Sequence, residues 1–480
     1  MAGMTDGRGR LRARTRAAAL LAAGAVMALG AAGCGSSDDG GSSGSGDAGG
    51  SGGKSLTMWT FKQSNVPGLE AAAAAWGRRT GNTLRVQVYT PDDAYATKVR
   101  AAANTRDLPD IVSAHSASEE WQFAAAGVLD DITDEFDQAW QDELYPSAVS
   151  ATSLTEERIR ASEANSSTSL AGLEPGHFYA VPYLSGSAGF VFARKSALRR
   201  AGVDVSKPPA TYEEMVSAIE KTRASLGEAG GIATGLKIPQ TGYYWLFRPM
   251  SFGFLGRADF LGRQGRDPSV AWNSPKSVET LSLYDRLTPL WVPGVLALGI
   301  DEADQKFADG SATWDVGGTY TLSFLLDQGM DLDDVMVFPV PPPAGGAYDQ
   351  TKLAPAPLVS AGVASTSENR AEAIDFLRFL SSREGAMLFG EGANDIPATD
   401  LGDATASWNP ALREMFAALS PPGEDVLDVN DFSADPGAGS GPVTAASADV
   451  LNKIVAGKAT PQQAGDELAE MYEKAWAAQK

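Results

Sequence analysis

The groups in this chain that could do chemistry are few in kind and badly placed for one another. His115 and His177 are the only histidines, and Cys34 is the only cysteine. Two distant imidazoles and one thiol cannot supply the donor set of a zinc centre, so neither a metal nor a cofactor is expected. Gly40-Gly41-Ser42-Ser43-Gly44 satisfies the spacing of a nucleophile elbow. It lies in a Gly/Ser run, with no strand before it or helix after it. Ser185-Gly186-Ser187-Ala188-Gly189 lacks the first glycine of that pattern. Gly53-Lys54-Ser55 imitates the end of a phosphate loop, but the required first glycine is Ala48 and a strand follows where a helix should. Glycoside hydrolysis needs two carboxylates about 5 to 10 Å apart. With 60 acidic residues such pairs are inevitable, and Asp130-Asp131 and Asp333-Asp334 read as solvated turns.

The chemistry that does fit its surroundings is at Cys34. Arg8, Arg10, Arg12, Arg14 and Arg16 precede an uncharged run, Ala17 to Leu29, which ends in Gly30-Ala31-Ala32-Gly33-Cys34. This reads as a secretory signal with small residues at its cleavage point. The thiol resembles the lipidated cysteine of a bacterial lipoprotein, although Ala31 stands where that pattern prefers Leu. Ala17 to Ala32 falls short of the roughly 20 residues that span a bilayer. The arginines are never adjacent, which argues against a twin-arginine signal. Residues 1–33 are therefore expected to be a signal peptide. Residues 34–53, Gly, Ser and Asp after the cysteine, are expected to be a flexible tether. The mature protein would sit at the extracytoplasmic face of the cell membrane, anchored by lipid.

The net charge is −21, and the signal removes five Arg with only one Asp, so the remainder is more acidic still. Such a surface repels nucleic acid and anionic headgroups, which excludes nucleic-acid partners. At 43% hydrophobic and 21% charged residues the composition is that of a globular chain, and its length implies two or three domains. One cysteine permits no intrachain disulfide, so packing must hold the fold.

Order begins at Lys54. Ser55 to Trp59, Thr83 to Tyr89 and Leu108 to Ser113 read as strands, and Leu69 to Arg79, Ala94 to Thr105 and Glu119 to Ala126 as helices. That alternation predicts βαβ units and a parallel sheet. Tyr179 to Tyr183 leads into a second strand, Gly189 to Ala193. Tyr212 to Ser225 is an amphipathic helix with Thr211 as N-cap and Glu214 three residues on. Ala197 to Ala201, Val278 to Leu287 and Ala371 to Leu380 are further helices. Ala445 to Lys480 reads as two helices split at Gly457 to Pro461, after a surface loop at 434–442.

Several of these segments, in series, resemble the extracellular solute-binding proteins of ABC transporters, in the carbohydrate-binding cluster that includes maltose-binding protein. They are LTMWTF at 56–61, LPDIVSAH at 108–115, GVLDDITDEF at 127–136 and YAVPY at 179–183. FVFARKSALRRAGVDVSKPPATYEEM at 190–215 carries the most specific likeness. FADGSATWDVGGTY at 307–320 and SAGVASTSENRAEAIDFLRFLSSREG at 360–385 follow in family order. Departures fall at ligand-facing positions: Phe192-Ala193, Gly186 and Gly317 replace the family's usual residues there. The substrate therefore does not carry over.

The resemblance implies an α/β fold of the periplasmic-binding-protein-like class II, with two α/β lobes joined by crossing hinge strands. Lobe one would comprise 54–184 plus 362–400, and lobe two 187–358 plus 405–480, with crossings near Ser185 to Ser187 and Ser360 to Ala364. A non-enzymatic monomer would hold a carbohydrate between the lobes and deliver it to an ABC permease. The competing readings are an extracytoplasmic carbohydrate-active enzyme, or the same fold binding a polyamine or peptide. Sugars offer flat apolar faces edged with hydroxyls, so a sugar site needs rings and polar side chains. The expected ligand-binding residues are Trp59, Phe61, His115, Ser116, Tyr183, Trp245, Tyr320, Asn394 and Asp395. Trp59 reads equally as core or ligand wall. Of Tyr243-Tyr244-Trp245, Trp245 is the one expected to face the cleft. Trp121 and Trp314 read as core.

Overall fold

The computed structural model describes residues 52–478 apart from 91, 163–168, 266, 429–435 and 437–441. The expected signal peptide, Cys34 and nearly all of its tether lie outside the described residues, as does most of the expected loop at 434–442.

The N-terminal half builds the first sheet. β1 (Ser55–Thr60) and β2 (Thr83–Val88) pair in parallel through the helix Val66–Thr80. That helix ends at Gly81, whose φ of +79° suits a residue without a Cβ, and its N–H closes on the Gly77 carbonyl. β3 (Ile111–His115) joins the other edge of β1, also in parallel. The sequence placed this strand from Leu108. It starts three residues later because Asp110 is otherwise engaged: its carboxylate accepts from the Thr57 N–H (2.8 Å), the Ser367 hydroxyl (2.7 Å) and the Asn369 amide (3.0 Å).

β4 (Val181–Gly186) closes the sheet, and through Ser187 the chain passes into β5 (Ala188–Arg194) of the second sheet. There β5 lies between β7 (Trp314–Gly318) and β8 (Val335–Pro339), with the short β6 (Ile232–Ala233) beyond β7. Both faces of β5 are covered, which explains its unbroken apolar run. Val191 and Ala193 join one core with Tyr212, Trp314, Tyr284 and the C-terminal helices Pro442–Val455 and Pro461–Ala478. Phe190 and Phe192 join another with Phe307, Leu322, Val337 and Leu412. Helix Tyr212–Leu226 begins as expected, the Thr211 side chain accepting from the Glu214 N–H.

A short pair, β9 (Lys352–Leu353) with β11 (Val426–Leu427), precedes the return of the chain as β10 (Ala356–Val363). β10 enters the first sheet between β3 and β4 and runs antiparallel to both. The first sheet is thus mixed, not the parallel sheet expected. β10 arrives from the other lobe without a crossover helix, and such a connection imposes no parallel direction. Ser360 to Val363 pair with Ala114 to Ile111 inside the sheet. The expected second crossing, near 360–364, is thus the end of a strand paired on both sides. Helices Arg370–Ser381 and Arg383–Ala393 complete this lobe around Trp76, Phe376 and Phe389. The chain then runs beside β4 once more, with Leu184 bridging Pro397. No helix among the described residues is long and apolar enough to cross a membrane.

Candidate functional site

Three elements from different parts of the chain converge where β4 leaves the first sheet. One is the end of β1, where Phe61 and Lys62 lead into a tight turn, Gln63–Asn65. The second is the segment after helix Arg383–Ala393, where Asn394 adopts the left-handed C-cap conformation (φ +49°) and turns the chain into Asp395. The third is the end of β7, where Thr319 and Tyr320 start the helix Thr321–Asp327 of the second lobe.

Asp395 is fully buried, and its Oδ2 lies 3.3 Å from Lys62 Nζ. Its Oδ1 accepts from the Ile396 N–H at 2.9 Å, and the Thr319 hydroxyl stands beside the carboxylate. Burial raises its pKa; the Lys62 charge and the Ile396 hydrogen bond oppose that rise. Lys62 Nζ stands 5.6 Å from the centroid of Tyr320, so a first-lobe cation lies on a second-lobe ring.

Tyr320 is met edge-on by Trp245, with centroids 5.8 Å apart. Trp245 belongs to a single wide π-helical turn, Gly242–Phe247, which runs into the helix Arg248–Leu255. Such turns displace side chains from the ordinary helical spacing. Here Tyr243 is buried against Phe247, while Trp245 stays partly exposed. Behind Tyr320, the Asp304 and Asp315 carboxyls lie close enough to act on each other, at 2% and 0% exposure. Burial pushes Asp315 up to about 6 and holds Asp304 well above the usual carboxylate range. Burial, with these acids and Asp395, also raises the Tyr320 phenol.

Gly186 permits this convergence. A Cβ built on it would sit 2.1 Å from Thr319 Oγ1, and no side chain fits while the lobes meet in this way. Gly189, two residues into β5, has φ +104°, which only glycine adopts freely. The crossing thus carries two positions that depend on the absence of a side chain.

The expected residues divide into groups. Tyr183, Trp245, Tyr320 and Asp395 come together, Asp395 acting electrostatically on both phenols. Tyr183 is buried with its hydroxyl 3.4 Å from that of Ser113, and burial pushes it to about 12. Asn394 supports this group as the C-cap before Asp395. Phe61 stacks on His115 at 4.3 Å, and His115 Nδ1 lies 3.1 Å from Glu119. The hydroxyls of Ser116 and Ser360 are 2.6 Å apart. Trp59 is committed elsewhere: its indole N–H donates to Gln87 and its ring lies against Tyr89 and under Lys98. Sequence reasoning missed Lys62 and Thr319. Lys62 could have been found as the one charge placed directly beyond the end of the first strand.

The sequence pattern that defines the family described as bacterial extracellular solute-binding protein matches residues 62–387. The sn-glycerol-3-phosphate-binding periplasmic protein UgpB of Salmonella typhimurium is 25% identical over 317 residues, covering 62% of this chain and 69% of that protein. Among solved structures, one from work on xylan utilization by the thermophilic bacterium Caldanaerobius polysaccharolyticus matches with a TM-score of 0.60 at 18% identity. It covers 87% of this chain and 99% of its own. The GacH receptor of Streptomyces glaucescens, solved unliganded and in complex with acarbose, matches with a TM-score of 0.58 at 17% identity, covering 88% of this chain and 98% of its own.

Proposed function

The chain belongs to the bacterial extracellular solute-binding protein family, and on that premise we propose that it captures a sugar or oligosaccharide between its lobes and passes it to an ABC permease. The carrying observation is the convergence around Asp395. It combines rings suited to a sugar face, Trp245 and Tyr320, with polar groups suited to hydroxyls, Lys62, Asp395 and Thr319. These come from both lobes, so a ligand seated there stabilises the closed arrangement by its differential affinity for it. A permease reading the relative position of the lobes would then distinguish loaded from empty protein.

The hinge of this reading lies at Ser187, in the stretch before Ala356, and beside Leu184–Pro397. The protein works as a monomer without turnover. Outside the cell it is held by lipid on Cys34, with residues 35–53 as the leash.

Thermal melting of the purified protein against saccharide, amino-acid and polyamine panels tests the ligand class, since a tight ligand raises the melting temperature by mass action. A shift with polyamines and none with sugars would sink the carbohydrate reading. Radiolabelled palmitate incorporation that persists in a Cys34→Ala variant would sink the anchor.

A further inference from the structure

Asn65 occupies the position before helix Val66–Thr80 where asparagine ordinarily caps, accepting a hydrogen bond from the helix's first N–H groups. It does no such work. Its backbone is helical (φ −82°, ψ −16°), its side chain makes no capping bond, and Pro67 removes one of the N–H groups it would serve. The side chain is 0% exposed, and both Nδ2 and Oδ1 lack a hydrogen-bond partner. A buried amide left in that condition is destabilising, and capping does not account for it.

Its place does. The turn Gln63–Asn65 packs on helix Arg383–Ala393, which ends at Asn394 and Asp395, and on helix Thr321–Asp327 of the other lobe, which begins at Tyr320. The Asn65 N–H donates to the carbonyl of Lys62, whose ammonium bridges Asp395 and Tyr320. A second orphan lies along the same seam. The Ser185 hydroxyl, also 0% exposed and without a partner, sits on the crossing strand whose own N–H bonds the Ile396 carbonyl.

We propose that Asn65 is a specificity-determining residue of the interlobe site, its carboxamide pairing with a hydroxyl of the bound sugar. This rests on the sugar-binding reading above. A hydroxyl both donates and accepts, and the amide offers one acceptor and two donors on a planar group. A ligand lacking that hydroxyl leaves the amide unpaired, and a site built around a buried polar group discriminates strongly against such analogues.

The test compares Asn65→Leu with the unaltered protein in thermal melts and titration calorimetry against maltotriose, raffinose, N,N′-diacetylchitobiose and xylobiose. Leucine has nearly the same shape and no polar atoms, so the ligand-free variant is expected to melt at the same temperature or higher. Its affinity for whichever sugar the unaltered protein binds is expected to fall tenfold or more. Unchanged affinity would overturn the proposal, as would a ligand-free variant melting well below the unaltered protein, which would show the amide at structural work. If Asn65→Leu does not fold, Asn65→Ser is measured instead, with the same loss of affinity expected and retained affinity counting against. If none of the four sugars binds the unaltered protein and the polyamine or amino-acid panel does shift it, the sugar reading fails by itself. Asn65 is then judged on the ligand-free melts: a rise supports a reserved amide, and a fall overturns it.

Discussion

The Lys62 ammonium lies 3.3 Å from the carboxylate of the fully buried Asp395 and opposes the rise that burial imposes on its pKa. Lys62→Met leaves the carboxylate buried without its counter-charge. Breaking such a pair from one side costs about 3–5 kcal/mol. The sign with pH is definite. The Asp395 pKa is already raised by burial, and without Lys62 it rises further, so the penalty belongs to pH above the folded value. It shrinks as acid protonates the group. Melting curves from pH 4 to pH 8 should show the variant approaching the unaltered protein at the acid end. A constant gap across that range would contradict this.

Trp245 and Tyr320 meet edge-on at 5.8 Å at the mouth of the second lobe. Trp245→Ala should weaken sugar binding about tenfold, an aromatic contact being worth about 0.5–1.5 kcal/mol beyond burial. Trp245 is partly exposed, so melting without ligand should change little. Calorimetry showing equal affinities would remove this ring from the site.

Gly186 and Thr319 compete for one space, because a Cβ at 186 would stand 2.1 Å from the Thr319 hydroxyl. Gly186→Ala should hold the lobes apart and lower ligand affinity, and adding Thr319→Ala should restore part of the closure but not the contact of the Thr319 hydroxyl. Small-angle scattering with and without ligand would read the closure directly. Additive losses in the double variant would rule out this steric coupling.

The Asp304–Asp315 pair makes lobe two sensitive to alkali. Asp315 titrates near 6 in the fold, above the ordinary carboxylate value, so its contribution to stability falls as pH rises through that range and stays low beyond it. Asp315→Asn keeps the shape of the side chain and removes the charge. Above pH 7 it should gain up to about 3 kcal/mol, one pKa unit being about 1.4 kcal/mol. Buried Glu120, raised to about 7, titrates in both proteins, so the difference between the two melting profiles isolates the pair. No gain at pH 8 would refute the raised titration of Asp315.

Much of the frame was legible because it rests on local pattern. The period-two run at Thr83–Tyr89 and the Thr211 cap are short-range signals; the strand formed one residue shorter, at Thr83–Val88, and the helix began where read. The order of blocks carried the two-lobe fold. The wide turn at Gly242–Phe247 escaped, since its aromatic run has no distinct period. The antiparallel entry of β10 depends on where the other lobe releases the chain, which no local window contains. Among candidate site residues, Tyr183, Trp245, Tyr320 and Asp395 came together. Trp59 did not, because alternation along a strand names two faces without saying which one meets Gln87 and Lys98. Lys62 left a faint signal as the charge just beyond the first strand, but its partner Asp395 lies more than 300 residues away, and Asn65 left none, since its meaning comes from having no partner.

β10 sits between β3 and β4, yet it is made about 170 residues after β4. The second sheet needs only the contiguous stretch Ala188 to Pro339. A chain emerging from its N-terminus can therefore assemble the later sheet while the earlier one still has an open slot between two strands. Pairing across so long a separation is slow. The first sheet can close only once β10, which ends at Val363, fills the slot between β3 and β4.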